Sequence, residues 1–186
     1  MKRILILASG AGSLAEAIFK EDFSTSSAEV IAVICDRAAA PVLDKATAHG
    51  IESYLIPMLA DRGLWNQELL KLISALRPDL VVSAGFMRIL PAEITARFKI
   101  INSHPSLLPL YPGAHAVRDA LADGATVTGT TMHWVDAGLD TGEVISQEKV
   151  EILEGDTEES LHERIKIVER GLIVATIHRL LPMLES

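Results

Sequence analysis

The chain has 186 residues, of which 49% are hydrophobic and 23% are charged, which supports one folded domain and excludes a disordered protein. Its net charge of −8 excludes a nucleic-acid partner held through phosphate contacts, because such a partner needs a basic face. Lys2 and Arg3 precede only a short apolar stretch, and no apolar run reaches membrane-spanning length. We therefore expect a cytoplasmic protein that makes no membrane contact.

The first half of the chain alternates short apolar runs with stretches of helical spacing. We predict strands at 4–8, 30–35, 54–56 and 80–83, and helices at 13–19, 40–49 and 64–75. The single cysteine, Cys35, ends the second strand and is predicted to be a buried thiol. Because the apolar runs are continuous rather than alternating, we expect a doubly wound, Rossmann-like α/β fold with a mostly parallel sheet covered by helices.

The second half predicts an antiparallel extension of that sheet followed by a long C-terminal helix. Strands at 126–135 and 144–150 flank a turn rich in glycine and aspartate at 136–142. Asp156 is the predicted N-cap of the helix, with Glu159 as its third residue. Helical spacing predicts a buried stripe of Leu161, Ile165, Val168, Leu172 and Ala175.

A glycine-rich loop, GAGSLA at 10–15, follows the first strand and opens the first helix. Glycines allow close approach, and the N–H groups at a helix start attract phosphate. The loop also satisfies the dinucleotide fingerprint, and Asp36 ends the second strand, where a ribose-binding acid stands in that class. A phosphate loop, a nicotinamide-dependent dehydrogenase, a non-catalytic nucleotide-binding module and a turn without a ligand all stay open at this point.

The segment NSHPSLLP at 102–109 carries the groups best suited to chemistry. Asn102 and His104 are two residues apart on a strand, so both side chains can lie on one face. Histidine exchanges protons near neutral pH, and an amide N–H stabilises a developing oxyanion. If Asp140, in its glycine-bounded loop, returns to His104, we expect the histidine pKa to rise. Together the three groups would serve acyl transfer to an amine, but each taken alone is more often structural.

Five segments resemble the glycinamide ribonucleotide formyltransferases and occur in the same order. They are SGAGS at 9–13, AGFMRIL at 84–90, NSHPSLLP with YPG at 102–113, GTT with His133, and DTG at 140–142 with Gln147. The resemblance implies the formyltransferase fold and transfer of a formyl group from 10-formyltetrahydrofolate to the amine of 5'-phosphoribosylglycinamide in purine biosynthesis. It implies small-molecule partners only, and a monomer or homodimer. It also implies one domain over 1–186, with a nucleotide- and phosphate-binding half at 1–100 and a catalytic and folate-binding half at 101–186. No metal is expected, because the six histidines do not form a ligand spacing such as HExxH.

The resemblance also implies roles for individual residues. The catalytic residues it implies are Asn102, His104 and Asp140. The residues implied to bind the ribonucleotide are Gly12, Ser13, Leu14, Lys166 and Glu169. The residues implied to bind the folate are Arg62, Met87, Arg88, Ile89, Leu90 and Asn102. Many relatives carry asparagine where Leu14 stands, so only the backbone of Leu14 is expected to hold phosphate. For Lys166 and Glu169 the alternative is a solvated helix flank.

Overall fold

The computed structural model describes residues 1–184 and contains one seven-stranded sheet in the order β3-β2-β1-β4-β5-β6-β7. The strands are β1 Lys2–Ala8, β2 Ala28–Cys35, β3 Ser53–Leu55, β4 Leu80–Ser83, β5 Ile100–His104, β6 Val127–Trp134 and β7 Val144–Glu151. The first five strands in this order, from β3 to β5, are parallel to one another. β6 pairs antiparallel with β5, and β7 pairs antiparallel with β6. The predicted sheet, mostly parallel with an antiparallel extension, is confirmed.

Helices cover both faces of the sheet. They are α1 Ser13–Phe19, α2 Val42–Ala48, α3 Arg62–Leu76, α4 Ala92–Thr95, α5 Ala116–Ala122 and α6 Glu158–Leu180. Apolar side chains of α1, α2 and α6 pack on one face, and those of α3 and α4 on the other. Residues 4–8 of β1 are therefore fully buried, as its continuous apolar run predicts. Cys35 is also buried, as predicted.

The start of α6 differs from the prediction. Thr157, rather than Asp156, is the N-cap: its hydroxyl accepts from the N–H of Ser160, and the Ser160 hydroxyl accepts from the N–H of Thr157. The Asp156 carboxylate instead accepts from Leu153 N and pairs with Arg164. That pair holds the pKa of Asp156 well below its usual range. The predicted cap was wrong because Asp156 has this stronger, charged partner eight residues further on.

The buried stripe of α6 is also rotated from the prediction. Val168 and Leu172 are only half-buried, and Ala175 is exposed. The buried residues of the helix are Leu161, Ile165, Glu169, Ile173, Thr176, Ile177 and Leu180. A stripe drawn through apolar residues alone missed Glu169 and Thr176, whose polar atoms find partners on the sheet.

The parallel strands bring their carboxyl ends to one edge of the sheet, where ligands bind in open α/β folds. The glycine loop follows β1, Asp36 follows β2, the segment 84–90 follows β4, and His104 ends β5. Within residues 1–184, no helix is long and apolar enough to cross a bilayer.

The packing of α3 generates a stability prediction. Trp65 is fully buried, donates its indole N–H to Ile56 O at 3.1 Å, and stacks on Phe86 with ring centroids 6.3 Å apart. We expect Trp65→Ala to lower the free energy of unfolding by about 3–5 kcal/mol, measured by urea denaturation. The control is Leu64→Ala at an exposed position of the same helix, expected to change it by less than about 0.5 kcal/mol. Equal effects at both positions would contradict this packing.

Candidate active site

Asn102 and His104 lie on the same face of β5, as strand alternation predicts. Ile100 packs in the core beneath α3, whereas Ile101 packs in the core beneath α1 and α6. The side chains of Asn102 and His104 therefore belong to the α3 face, and Ser103 points toward α6. One short strand thus supplies polar groups to both sides of the sheet.

His104 is 4% exposed, and both of its ring nitrogens have a neighbour. Nε2 lies 2.8 Å from the carbonyl oxygen of Tyr111. Because a carbonyl can only accept, Nε2 carries a proton and donates it there. Nδ1 lies 3.4 Å from Oδ2 of Asp140. Nδ1 is therefore the nitrogen that is left for exchange with a ligand, and it stands beside a carboxylate.

Asp140 reaches His104 from the loop between β6 and β7, so the expected convergence of these two residues is present. Its backbone is left-handed, with φ of 53°, and its Oδ2 accepts from the N–H of Gly113 at 2.8 Å. At the end of the loop, a Cβ on Gly142 would collide with the carbonyl oxygen of Trp134. This close approach requires glycine and fixes the path that returns Asp140 to the strand ends.

His133 orients Asn102, a contact that the sequence analysis did not identify. The antiparallel register places His133 opposite Asn102, and Asn102 Nδ2 lies 3.3 Å from His133 Nε2. His133 Nδ1 donates to Trp134 O at 2.9 Å, and burial lowers the pKa of His133. The ring is therefore neutral with Nε2 as acceptor, so Asn102 donates to it. Because Nε2 is unprotonated, its 3.6 Å approach to Asp140 Oδ1 is no ion pair. The signal available in the sequence was the alternation of β6.

The chain leaving His104 is held by side chains of β6 and β7. Thr131 Oγ1 accepts from Leu108 N at 3.0 Å and donates to Ser106 O at 2.6 Å. Gln147 Nε2 donates to Leu108 O at 2.8 Å. These bonds give the motif residues Thr131 and Gln147 a structural role. They hold the turn that brings the carbonyl of Tyr111 to His104.

The glycine loop is shaped by close packing. Gly12 has φ of 71°, and a Cβ there would lie 2.6 Å from Cβ of Val42, so the position requires glycine. Leu14 is buried with its side chain in the core, which leaves only its backbone for a ligand. Ser13 begins α1. Beside the loop lies an open cavity of about 380 Å³, lined by Ser9, Gly10, Ala11, Arg37, Ala39, Ala40 and Pro41.

The segment after β4 exposes apolar side chains at the same sheet edge. Met87 and Ile89 are each 65% exposed, whereas Leu90 is buried. Arg62 donates from Nη2 to Ile89 O at 2.6 Å, so the structure brings Arg62 to this segment. Arg88 pairs with Asp36, with 2.6 Å between Nε and Oδ2. Asp36 is therefore buried and engaged, unlike the ribose-binding acid that a dehydrogenase requires.

Glu169 and Lys166 have separate surroundings. Glu169 is 4% exposed, so the alternative of a solvated flank is wrong for it. Its Oε1 accepts from Ser103 Oγ, and burial raises the pKa of its carboxyl. Lys166 Nζ lies 2.7 Å from Oε1 of Glu163 at the surface. The contact of Glu169 with β5 was missed because apolar periodicity gives no signal for a buried acid.

The comparisons with known proteins agree with this geometry. A sequence profile described as formyl transferase matches residues 2–177. The chain belongs to the formyl transferase family. It is 46% identical over 182 residues to the phosphoribosylglycinamide formyltransferase of Mycobacterium tuberculosis, covering 94% of this chain and 83% of that protein. It is 40% identical over 175 residues to the trifunctional purine biosynthetic protein adenosine-3 of Drosophila melanogaster, covering 90% of this chain and 13% of that protein.

A solved structure shows the same architecture. Glycinamide ribonucleotide transformylase 1 from Symbiobacterium toebii matches this formyl transferase with a TM-score of 0.91 at 36% identity, over 98% of this chain and 88% of that one. The expected resemblance to the glycinamide ribonucleotide formyltransferases and the expected formyltransferase fold are confirmed.

The buried acid of this formyl transferase generates a pH prediction. Between the ordinary carboxyl pKa of 4.5 and its raised folded value, Glu169 keeps a proton that the unfolded chain releases. Its contribution to stability therefore falls as pH rises through that window. We expect Glu169→Gln to gain unfolding free energy over the parent chain as pH rises from about 4.5 to about 8, measured by urea denaturation.

Glu163→Gln is the matched control on the same helix. The Lys166 ammonium lowers the pKa of Glu163, so this carboxylate stabilises the folded state at high pH and loses that effect as pH falls. The control should therefore become less stable than the parent as pH rises. The same trend in both variants would contradict the burial of Glu169.

Proposed function

We propose that this formyl transferase moves the formyl group of 10-formyltetrahydrofolate to the amine of 5'-phosphoribosylglycinamide. The products are 5'-phosphoribosyl-N-formylglycinamide and tetrahydrofolate, formed within purine biosynthesis. The observation that carries the proposal is the convergence of Asn102, His104 and Asp140 at the end of β5. A nicotinamide dehydrogenase is disfavoured because Asp36 is occupied by Arg88 and because it leaves this convergence without a role.

His104 is the proposed acid and base of the reaction. Its Nε2 is committed to Tyr111 O, which leaves Nδ1 to face the reacting formyl oxygen. The Asp140 carboxylate beside Nδ1 stabilises the imidazolium through opposite charge. The positive ring then stabilises the oxyanion and supplies a proton to the departing folate nitrogen.

Asn102 is the proposed second donor to the oxyanion. One of its amide protons is directed to His133, and this contact fixes the plane of the carboxamide. A donor held in place before reaction needs no reorganisation as charge develops, and such a donor typically lowers a barrier by about 3 kcal/mol. His133 acts by positioning Asn102.

The proposed transfer needs only these groups and the two substrates. The lone pair of the amine forms a bond to the formyl carbon as the C=O electron pair moves onto oxygen. When that pair returns, the bond from the carbon to N10 of the folate breaks. N10 gains one proton, and the amine nitrogen loses one. Direct transfer of this kind requires both substrates in the site together.

The two substrates have separate proposed binding regions. Backbone groups of Met87, Arg88, Ile89 and Leu90 are proposed to hold the pterin, with Arg62 at its edge; the contact of Arg62 with Ile89 O supports this. Gly12, Ser13 and the backbone of Leu14 are proposed to hold the ribonucleotide phosphate. Glu169 is proposed to contact the ribose, and Lys166 the phosphate.

We further propose a cytoplasmic monomer or homodimer whose partners are these two small molecules. The expected division of this single domain into a phosphate-binding half at 1–100 and a catalytic and folate-binding half at 101–186 does not match these assignments, because the proposed pterin segment lies in the first half and Lys166 and Glu169 lie in the second.

Ribonucleotide dependence is the first test of the proposal. We expect the purified protein to deformylate 10-formyltetrahydrofolate, or its dideaza analogue, only when 5'-phosphoribosylglycinamide is present. The measurement is the absorbance change of the folate on loss of its formyl group. Deformylation without the ribonucleotide would identify a hydrolase instead, and no reaction by folded protein would reject both activities.

The second test is removal of the imidazole. We expect His104→Ala to lower kcat by about 10²- to 10⁴-fold, because the proton donor is lost, while the fold is retained. Steady-state kinetics and circular dichroism measure the two quantities. His49→Ala is the control, because His49 is exposed and directly follows α2, and it should keep the parental rate. A near-parental rate in His104→Ala would reject the proposed mechanism.

A further inference from the structure

Asp36 is a buried acid that the proposed chemistry does not use. It directly follows β2, is 4% exposed, and its Oδ2 accepts from Arg88 Nε at 2.6 Å. Its second oxygen, Oδ1, is buried without a hydrogen-bond partner among the described residues. A carboxylate in such a place is costly unless its charge is paired, so the contact with Arg88 is what makes the position tolerable.

The Asp36–Arg88 pair joins strands that are not neighbours. In the sheet, β1 lies between β2 and β4, so the pair reaches across the end of β1 to the segment that follows β4. Ser9, which follows β1, also contacts that segment and donates its backbone N–H to Gly85 O at 3.2 Å. The hydroxyl of Ser9 accepts from Met87 N at 2.9 Å.

Apolar packing of Phe86 and Leu90 holds the segment 85–90 near its two ends, and polar contacts hold the residues between them. Met87 and Ile89 point into solvent and give it little packing. Ser9 holds its beginning, and Arg62 holds the carbonyl of Ile89. Within residues 1–184, the hydrogen bond of the Arg88 side chain, midway between them, is to Asp36. Loss of that pair removes the contact that joins the middle residue of the segment to the end of β2.

We propose that Asp36 is a positioning residue for the folate, acting through Arg88. It keeps the backbone groups of 87–90 in the arrangement that receives the pterin, which is the site assigned under the proposed function. The ribonucleotide regions, at Gly12–Leu14 and on α6, do not include this ion pair. Asp36 therefore affects one substrate and not the other.

Asp36→Asn tests this role, because it keeps the shape of the side chain and removes its charge. We expect the KM for the formyl-folate to rise about tenfold, the factor for one lost charged hydrogen bond, with the KM for the ribonucleotide within about twofold. Fluorescence titration with the dideaza formyl-folate should show the same loss without turnover. Asp44→Asn, at an exposed position of α2, is the matched control and should leave both values unchanged.

Arg88→Met, which keeps the stem of the side chain, provides the second variant. It should reproduce the loss of folate affinity, and the double variant should be no worse than either single one, because both remove the same contact. If Asp36→Asn does not fold, Arg88→Met carries the test. Unchanged folate affinity in the folded variants, or a parallel rise of both KM values, would overturn the proposal. A parent protein without ribonucleotide-dependent turnover would instead reject the proposed function, since the titration is independent of turnover.

Discussion

The antiparallel pairing of β6 with β5 is the constraint on which the site depends. Its register sets His133 against Asn102 and Thr131 against His104. It also sends the chain into the loop that returns Asp140 to the histidine. A slip of one residue would turn the side chains of β6 to the opposite face, removing the acceptor of Asn102 and the support of the turn after His104 together. One ladder of backbone hydrogen bonds thus determines three side-chain positions.

Two buried carboxylates lie outside that ladder, and each has a different neighbour. Glu169 lies on α6, faces β5 and accepts from Ser103, and burial raises its pKa although Lys166 and Arg170 act in the opposite direction. Asp36 lies at the end of β2 and faces the guanidinium of Arg88. The two carboxyl groups therefore lie in different environments: burial favours the protonated form of Glu169, and a neighbouring guanidinium pairs with Asp36. Both acids connect the sheet to a segment assigned to a substrate.

The glycine loop illustrates how far a short motif can be interpreted. GAGSLA satisfies the dinucleotide fingerprint, and Asp36 stands at the expected place after β2. In the folded chain Arg88 takes that carboxylate, and the side chain of Leu14 enters the core. The motif indicates a strand, a close turn and the start of a helix, and this local structure can bind many different ligands. The partner of Asp36 is set by a segment more than fifty residues away, which no local pattern includes.

The sequence by itself determined the strands, the mostly parallel sheet, the shared face of Asn102 and His104, and membership of the family. These follow from apolar periodicity, strand alternation and motifs, all of which are local. Only the tertiary structure decided that Asp140 meets His104, that His133 orients Asn102, and that Thr157 rather than Asp156 caps α6. It also decided that Glu169 is buried and that Asp36 holds Arg88. The physical reason is that partners of buried polar groups are chosen by strand order and register, which join residues far apart in the chain.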